Sequence, residues 1–192
     1  RLSHRDDVRE LAAVIKTLAD ELIGANCGNA ERVQDIYGKC IHPLPDSRSM
    51  WRLRLYVLSL CPEVFKAELK TSFFWLFDVE YYHELISGTE YEKALQKSFY
   101  VLDNQDKRDY IKNVMDYFLK KEMHKDNEKQ DWYLRHGSAL LSMIIDHLSD
   151  DERKQAEENG FMLIKDHQPM PSIGEVQTGW VKPRAPISQD EI

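Results

Sequence analysis

Histidine, cysteine and carboxylate side chains at ligand or catalytic spacing are the first features to test in these 192 residues, which hold 7 His, 3 Cys and 33 acidic residues. His83-Glu84 opens like the helical zinc motif in which two His one turn apart hold the metal and the Glu activates water. That motif needs a second His four residues after the first, and the position is Ser87. The other histidines, His4, His42, His124, His136, His147 and His167, stand singly. A di-iron carboxylate site needs Glu-x-x-His on each of two facing helices, and the spacing occurs once, at Glu80 and His83, so the second motif is missing. Neither a P-loop nor a GxGxxG phosphate loop is present, and no Ser sits in GxSxG. Cys27, Cys40 and Cys61 are an odd number without CxxC, a pattern that fits neither a disulfide framework nor a zinc knuckle. Cys61 follows Leu60 on an apolar stripe and reads as core. The expectation is therefore no catalytic residue, no cofactor, no metal, and a reducing cytoplasm.

Two constellations point to contact rather than chemistry. Arg54 has Val57, Leu58 and Cys61 three, four and seven residues on, which sets a guanidinium on an otherwise apolar helix side. A buried charge needs a partner. Either it forms a structural ion pair with Glu63 or Asp78, or it clamps an anion on a concave surface. The run Phe73-Phe74-Trp75-Leu76-Phe77 with Tyr81-Tyr82 divides by helical phase: rings 74, 77 and 81 share one face and fill a core, while Phe73, Trp75 and Tyr82 form the other side, a candidate aromatic patch. Arg54, Trp75, Tyr82 and Trp180 are the expected contact residues.

The elements that must carry these side chains are helical. Val8, Leu11, Ala12, Ile15, Leu18, Ala19 and Leu22 recur at steps of three and four after Ser3, which predicts one long amphipathic helix closed by Gly24. A shorter helix is expected over 30–39, before two prolines. Over 47–60 the run Trp51, Leu53, Leu55, Val57, Leu58, Leu60 is apolar on most faces, with Arg52, Tyr56 and Ser59 as a narrow polar edge. Pro62 suits the first turn of the next helix. Further helices are predicted at 80–86, at 90–101 with Thr89 as cap, and at 105–123, where Asp116 and Lys120 pair at i,i+4. After a charged connection over 124–130, Asp131 caps a helix with Tyr133, Gly137, Leu140, Leu141, Ile144, Ile145 and Leu148 inward, Gly137 allowing close approach of a neighbour. Ser149 and Glu152 make a capping box for a last helix closed by Gly160. Residues 161–186 hold four of the seven prolines and no helical period, an irregular tail that either lies along the helical surface, pinned by Phe161 and Trp180, or links to a next module.

Composition narrows the partners. A net charge of -7 opposes sequence-independent attraction to nucleic acid, and no apolar run approaches the roughly 20 residues of a membrane span. Trp51-Arg52-Leu53-Arg54 and Trp132-Tyr133-Leu134-Arg135 each open an apolar helix after a polar connection. The first, continued through Leu60 and Pro62-Glu63-Val64-Phe65, resembles a degenerate HEAT or armadillo helix pair over 47–159, as in the helical arms of large bacterial proteins that carry an ATPase elsewhere. The resemblance implies antiparallel pairs in a right-handed superhelical array, all-α, with about eight helices. It also implies a non-catalytic scaffold that presents a surface to a protein partner or to other domains of its own chain.

The expected organisation is a repeat-like domain over 1–160, an irregular connection over 161–187, and at 188–192 the capping-box start of a further, truncated helix, Ser188 to Glu191. A start at Arg1 without Met agrees with an internal piece. Two rival readings are an all-α metal-dependent hydrolase assembled from dispersed His, Asp and Glu, and a nucleic-acid reader that uses Arg52, Arg54 and Lys66 as a basic strip.

Overall fold

The computed structural model describes residues 4–45, 48–77, 89–120 and 127–169. Among them are eight α-helices: α1 (His4–Leu22), α2 (Ala30–Ile36), α3 (Arg48–Leu58), α4 (Lys66–Trp75), α5 (Thr89–Ser98), α6 (Asn104–Leu119), α7 (Asn127–Met143) and α8 (Asp150–Glu158). Short 3-10 turns follow α1, α5 and α7, and a π-helical turn, Tyr37–Ile41, follows α2. No strand occurs among the described residues, so the expected all-α class is found. None of the described helices is long and apolar enough to cross a membrane. The helix expected over 80–86, Trp180 and the Ser188 box lie outside the described residues.

Local chemistry sets the helix ends. Asn29 accepts the Arg32 amide (3.1 Å) to open α2, and Asp103 accepts the Asp106 amide (2.8 Å) to open α6. At α8 the Ser149 hydroxyl accepts the Glu152 amide while the Glu152 carboxylate accepts the Ser149 amide, the reciprocal box read from the sequence. Gly160, at φ +89°, ends α8: its amide reaches Glu157 O, and the Phe161 amide reaches Ala156 O, both at 3.0 Å. Three boundaries differ from expectation. α7 begins at Asn127, so the last residues of the supposed charged connection are helical. α4 begins only at Lys66, because Pro62 lies in a turn closed by the Val64 and Phe65 amides on Cys61 O. Lys120, where the backbone leaves the helix at ψ 119°, places Nζ 5.9 Å from the Tyr117 ring instead of on Asp116.

One continuous set of buried side chains runs from Ala19 to Phe161. α3 packs most broadly on α5, and α6 on α7. As its apolar pattern requires, α3 is buried on more than one side, through Trp51, Leu55, Val57 and Leu58. Phe65, Phe73, Tyr91, Phe99, Tyr110 and Phe118 are the large rings enclosed completely.

The tail is pinned at its start by a register match. The Met162 amide donates to Ser138 Oγ (2.8 Å) and the Ile164 amide to Ser142 Oγ (2.9 Å). Four helical residues rise about 6 Å and two extended residues about 6.6 Å, so serines one turn apart meet alternate amides of an extended strip. Phe161 enters beside Gly137, where a Cβ would come within 2.6 Å of Phe161 Cε1 and 3.0 Å of Phe118 Cδ2. The close approach expected at Gly137 is thus made by two rings. Gly137→Ala gains about 1 kcal/mol of helix propensity but must displace one ring. The expected outcome is a net loss of about 1–2 kcal/mol in urea unfolding, with faster amide exchange at Met162 and Ile164; a stabilised variant would contradict this packing.

Candidate interaction surface

The N-terminal helix carries apolar side chains on two adjacent arcs. Ala19 and Ile23 are buried, with Ile15 beside them, and Lys16 and Asp20 grip Tyr56 of α3: Lys16 Nζ lies 4.7 Å from the ring centroid and the hydroxyl donates to Asp20 Oδ1 at 2.8 Å. Val14, Leu18 and Leu22 lie one residue earlier at each turn, about 100° around the helix. They remain 55%, 48% and 46% exposed. This corrects the sequence reading, which put Leu18 and Leu22 on the inward stripe and left out Val14. The signal was present: apolar positions 14 to 23 cover about half the helix circumference, wider than the roughly 100° stripe of a helix with one covered face.

The four contact residues named from sequence separate. Trp75, in the last turn of α4, is 38% exposed and leans on Trp51 at 5.6 Å; Trp51 in turn stacks on Tyr91 at 5.6 Å and 17°. Trp75 is thus the outer end of a ring column. Phe73, assigned to the same outer patch, is instead fully buried with Leu69 and Leu76, because those three share the deepest phase of the chain here. Phe74 and Phe77 pack on Tyr110 at 5.9 and 5.5 Å, as core rings should. Arg54 Nη2 donates to the carbonyls of His42 (3.2 Å) and Leu44. Those oxygens follow the π-helical turn, so the guanidinium caps a helix C-terminus, where positive charge is favourable. The expected Glu63 partnership is not the contact seen there. Asp78, Tyr82 and Trp180 lie outside the described residues.

Ion pairs bridge neighbouring helices. Arg52 Nε meets Glu90 Oε2 at 2.5 Å between α3 and α5, with side chains only 15% and 10% exposed. The supposed polar edge of α3 is therefore covered, and Arg52 and Arg54 both have intramolecular partners. Lys70 pairs with Asp106 (2.7 Å), and Arg108 with Glu152 (3.1 Å). Burial pushes Tyr117 up to about 12, and holds Tyr110 far above its ordinary range, the hydrogen bond between its hydroxyl and that of Tyr91 opposing only in part. Tyr37 is also raised by burial, with Arg54 lowering it and Glu68 raising it.

His147 supplies a pH dependence. Burial, then the nearby Lys107, lowers its pKa, with Asp146 opposing, while the ring packs on Phe99 at 5.4 Å. A depressed folded-state value means that protons prefer the unfolded chain. Its contribution is complete above the unfolded value near 6.5 and is lost as pH falls through the folded value. Burial raises Glu152, but hydrogen bonds from Ser149 and the charge of Arg108 outweigh it and hold the carboxyl low, so its contribution is lost in a lower window, beginning below 4.5. Urea midpoints should stay level above pH 7 and begin to fall below about 6.5. His147→Gln should flatten that first decline and leave the later, Glu152-linked one. An unchanged first decline in the variant would contradict the assignment.

Two cysteines that composition left unpaired are joined: Cys27 and Cys61 form a disulfide with Cα atoms 5.4 Å apart, and Cys40 is free and exposed. An odd cysteine count says nothing about which residues 34 positions apart the fold brings together. Cys61 is buried, as read. Among the described residues no group of three or more His, Cys, Asp or Glu could hold a metal ion. Comparison with protein-family models, with curated proteins and with solved structures finds no match.

Proposed function

We propose that this chain is a non-catalytic helical scaffold segment, arranged as a HEAT- or armadillo-like superhelical array within a larger cytoplasmic protein, and that its contact face is the Val14–Leu18–Leu22 stripe of α1. The occupant is an amphipathic helix from a partner or from another domain of the same chain. The observation that carries this reading is the stripe itself: three aliphatic side chains, each about half exposed, aligned over two helical turns on a helix whose adjacent arc is already packed. A line of aliphatic groups at four-residue spacing, about 12 Å long, matches the i, i+3/i+4, i+7 anchors of a helix better than it matches an extended peptide or a small polar ligand. Covering it would gain about 1 kcal/mol per side chain.

Trp75 remains a secondary contact because its outer edge is open, but its ring also supports Trp51. The two positions therefore predict different behaviour. Leu18→Glu is expected to leave the urea midpoint within about 0.5 kcal/mol of wild type, as for other surface changes, and to abolish association with the partner. Trp75→Ala is expected to lower stability measurably. If Leu18→Glu unfolds the chain, or if association survives it, the stripe is not the contact face.

A further inference from the structure

We propose that the Cys27–Cys61 disulfide is a redox-sensitive latch on α1: its reduction by a dithiol frees α1, while the body built from α5, α6 and α7 stays folded. The inference concerns how α1 is held and does not depend on which helix occupies its stripe.

Over residues 13–23 the non-covalent anchorage of α1 is light: Ala19 and, just after the helix, Ile23 are buried, and the grips on Tyr56 come from Lys16 and Asp20. The covalent bond follows directly, at Cys27, and joins the turn after α1 to Cys61 in the turn after α3. With Val14, Leu18 and Leu22 about half exposed over the same stretch, that bond is a main tie of this part of α1 to α3. The body has its own supports: Tyr91, Phe99, Tyr110, Phe118, Leu140 and Leu141 are buried, α6 packs broadly on α7, and the Arg52–Glu90 pair ties α3 to α5. Stability therefore divides unevenly, and the element held by a cross-link is the one placed to open locally.

Access to the bond is also uneven. Cys61 is 3% exposed, whereas Cys27 is only partly buried. A reductant thiolate attacks Cys27 Sγ, forms a mixed disulfide and expels the Cys61 thiolate, which takes a proton. The second thiol of the reductant closes its own disulfide and releases Cys27, so two electrons pass from dithiol to protein. In a cytoplasmic setting, disulfides that form are characteristically transient or redox-sensing rather than permanent.

The test is amide exchange by mass spectrometry on the 192-residue chain, with and without millimolar dithiothreitol, alongside alkylation of thiols. Oxidised protein should label at one thiol, Cys40, and reduced protein at all three. On reduction, amides of α1 should exchange about tenfold faster or more, while those of α6 and α7 stay within about twofold. A Cys27→Ser/Cys61→Ser double variant should show the fast α1 pattern without reductant, and dithiothreitol should add nothing. Three labelled thiols in oxidised protein would overturn the proposal, as would α1 exchange that changes by less than about threefold. Equal loss of protection in α6 and α7 would show a staple for the whole fold, and a response to dithiothreitol in the double variant would place the sensitivity elsewhere; either overturns the latch.

Discussion

Replacing Arg52 with Ala is expected to destabilise the fold by about 3–5 kcal/mol, the largest effect of any single polar substitution here. The cause is what remains behind. Glu90 sits in the first turn of α5 with its side chain 10% exposed, and Arg52 Nε is 2.5 Å from its carboxylate. Without the guanidinium, a carboxylate is left without its ion-pair partner in a poorly solvated gap between α3 and α5. The favourable end of the α5 dipole offsets only part of that cost, on the order of 1 kcal/mol. The cost belongs to the orphan rather than to the pair, so the double variant Arg52→Met/Glu90→Leu should recover most of the loss. Urea unfolding of both variants decides this. A single variant within about 1 kcal/mol of wild type would mean that the pair behaves as a surface contact, contrary to its burial.

Tyr91→Phe is expected to cost about 2–4 kcal/mol, and Tyr110→Phe only about 1 kcal/mol, although both remove one buried hydroxyl. The asymmetry follows from proton direction. Tyr91 spends its only hydroxyl proton on Phe73 O at 3.0 Å, so in the 2.8 Å contact between the two hydroxyls Tyr110 must be the donor. Phe73 O lies in the last turn of α4, where the Phe77 amide goes to Phe74 O instead. Loss of the Tyr91 hydroxyl therefore takes a hydrogen bond from Phe73 O and strands a buried O–H donor. Loss of the Tyr110 hydroxyl does neither, since the oxygen of Tyr91 gives up only an accepted bond. Equal costs for the two variants, by urea denaturation, would reverse or dissolve this proton order.

Much of the fold was legible because it is written locally. Helical periodicity, the Ser149–Glu152 box and the Gly160 stop each act within four residues, and each is present where it was expected. The interior of α3 was legible too, since a helix apolar on most faces has few options but burial. What escaped depends on partners far away in sequence. Cys27 and Cys61 are 34 positions apart, and Arg52 and Glu90 are 38 apart. Spacing along the chain carries no trace of either pairing. Phe73 and Trp75 were read as one face, yet the helix phase that α4 adopts around Leu69 buries the first and leaves the second at the rim.

The contact face was misassigned for a different reason. In α1 one wide apolar arc was read as one buried stripe, whereas among the described side chains Ala19 is buried, with Ile23 just after the helix, and Val14, Leu18 and Leu22 stay about half exposed. A pattern can show how much of a helix is apolar without showing how much of it the rest of the chain can cover. The serines that hold the tail, Ser138 and Ser142, were likewise readable in principle as two hydroxyls one turn apart inside an apolar run.

The scaffold reading rests on the exposed stripe of α1, and site-specific cross-linking tests it most directly. A photoreactive phenylalanine analogue placed at Leu18, with the same group at exposed Lys112 as control, is irradiated in cells, and the captured peptide is sequenced. The account predicts one dominant adduct from position 18, absent from position 112 and lost on Leu22→Glu. Its peptide should carry apolar residues at i, i+3 or i+4, and i+7. An adduct pattern indistinguishable from the Lys112 control, or capture of segments without that spacing, would contradict it.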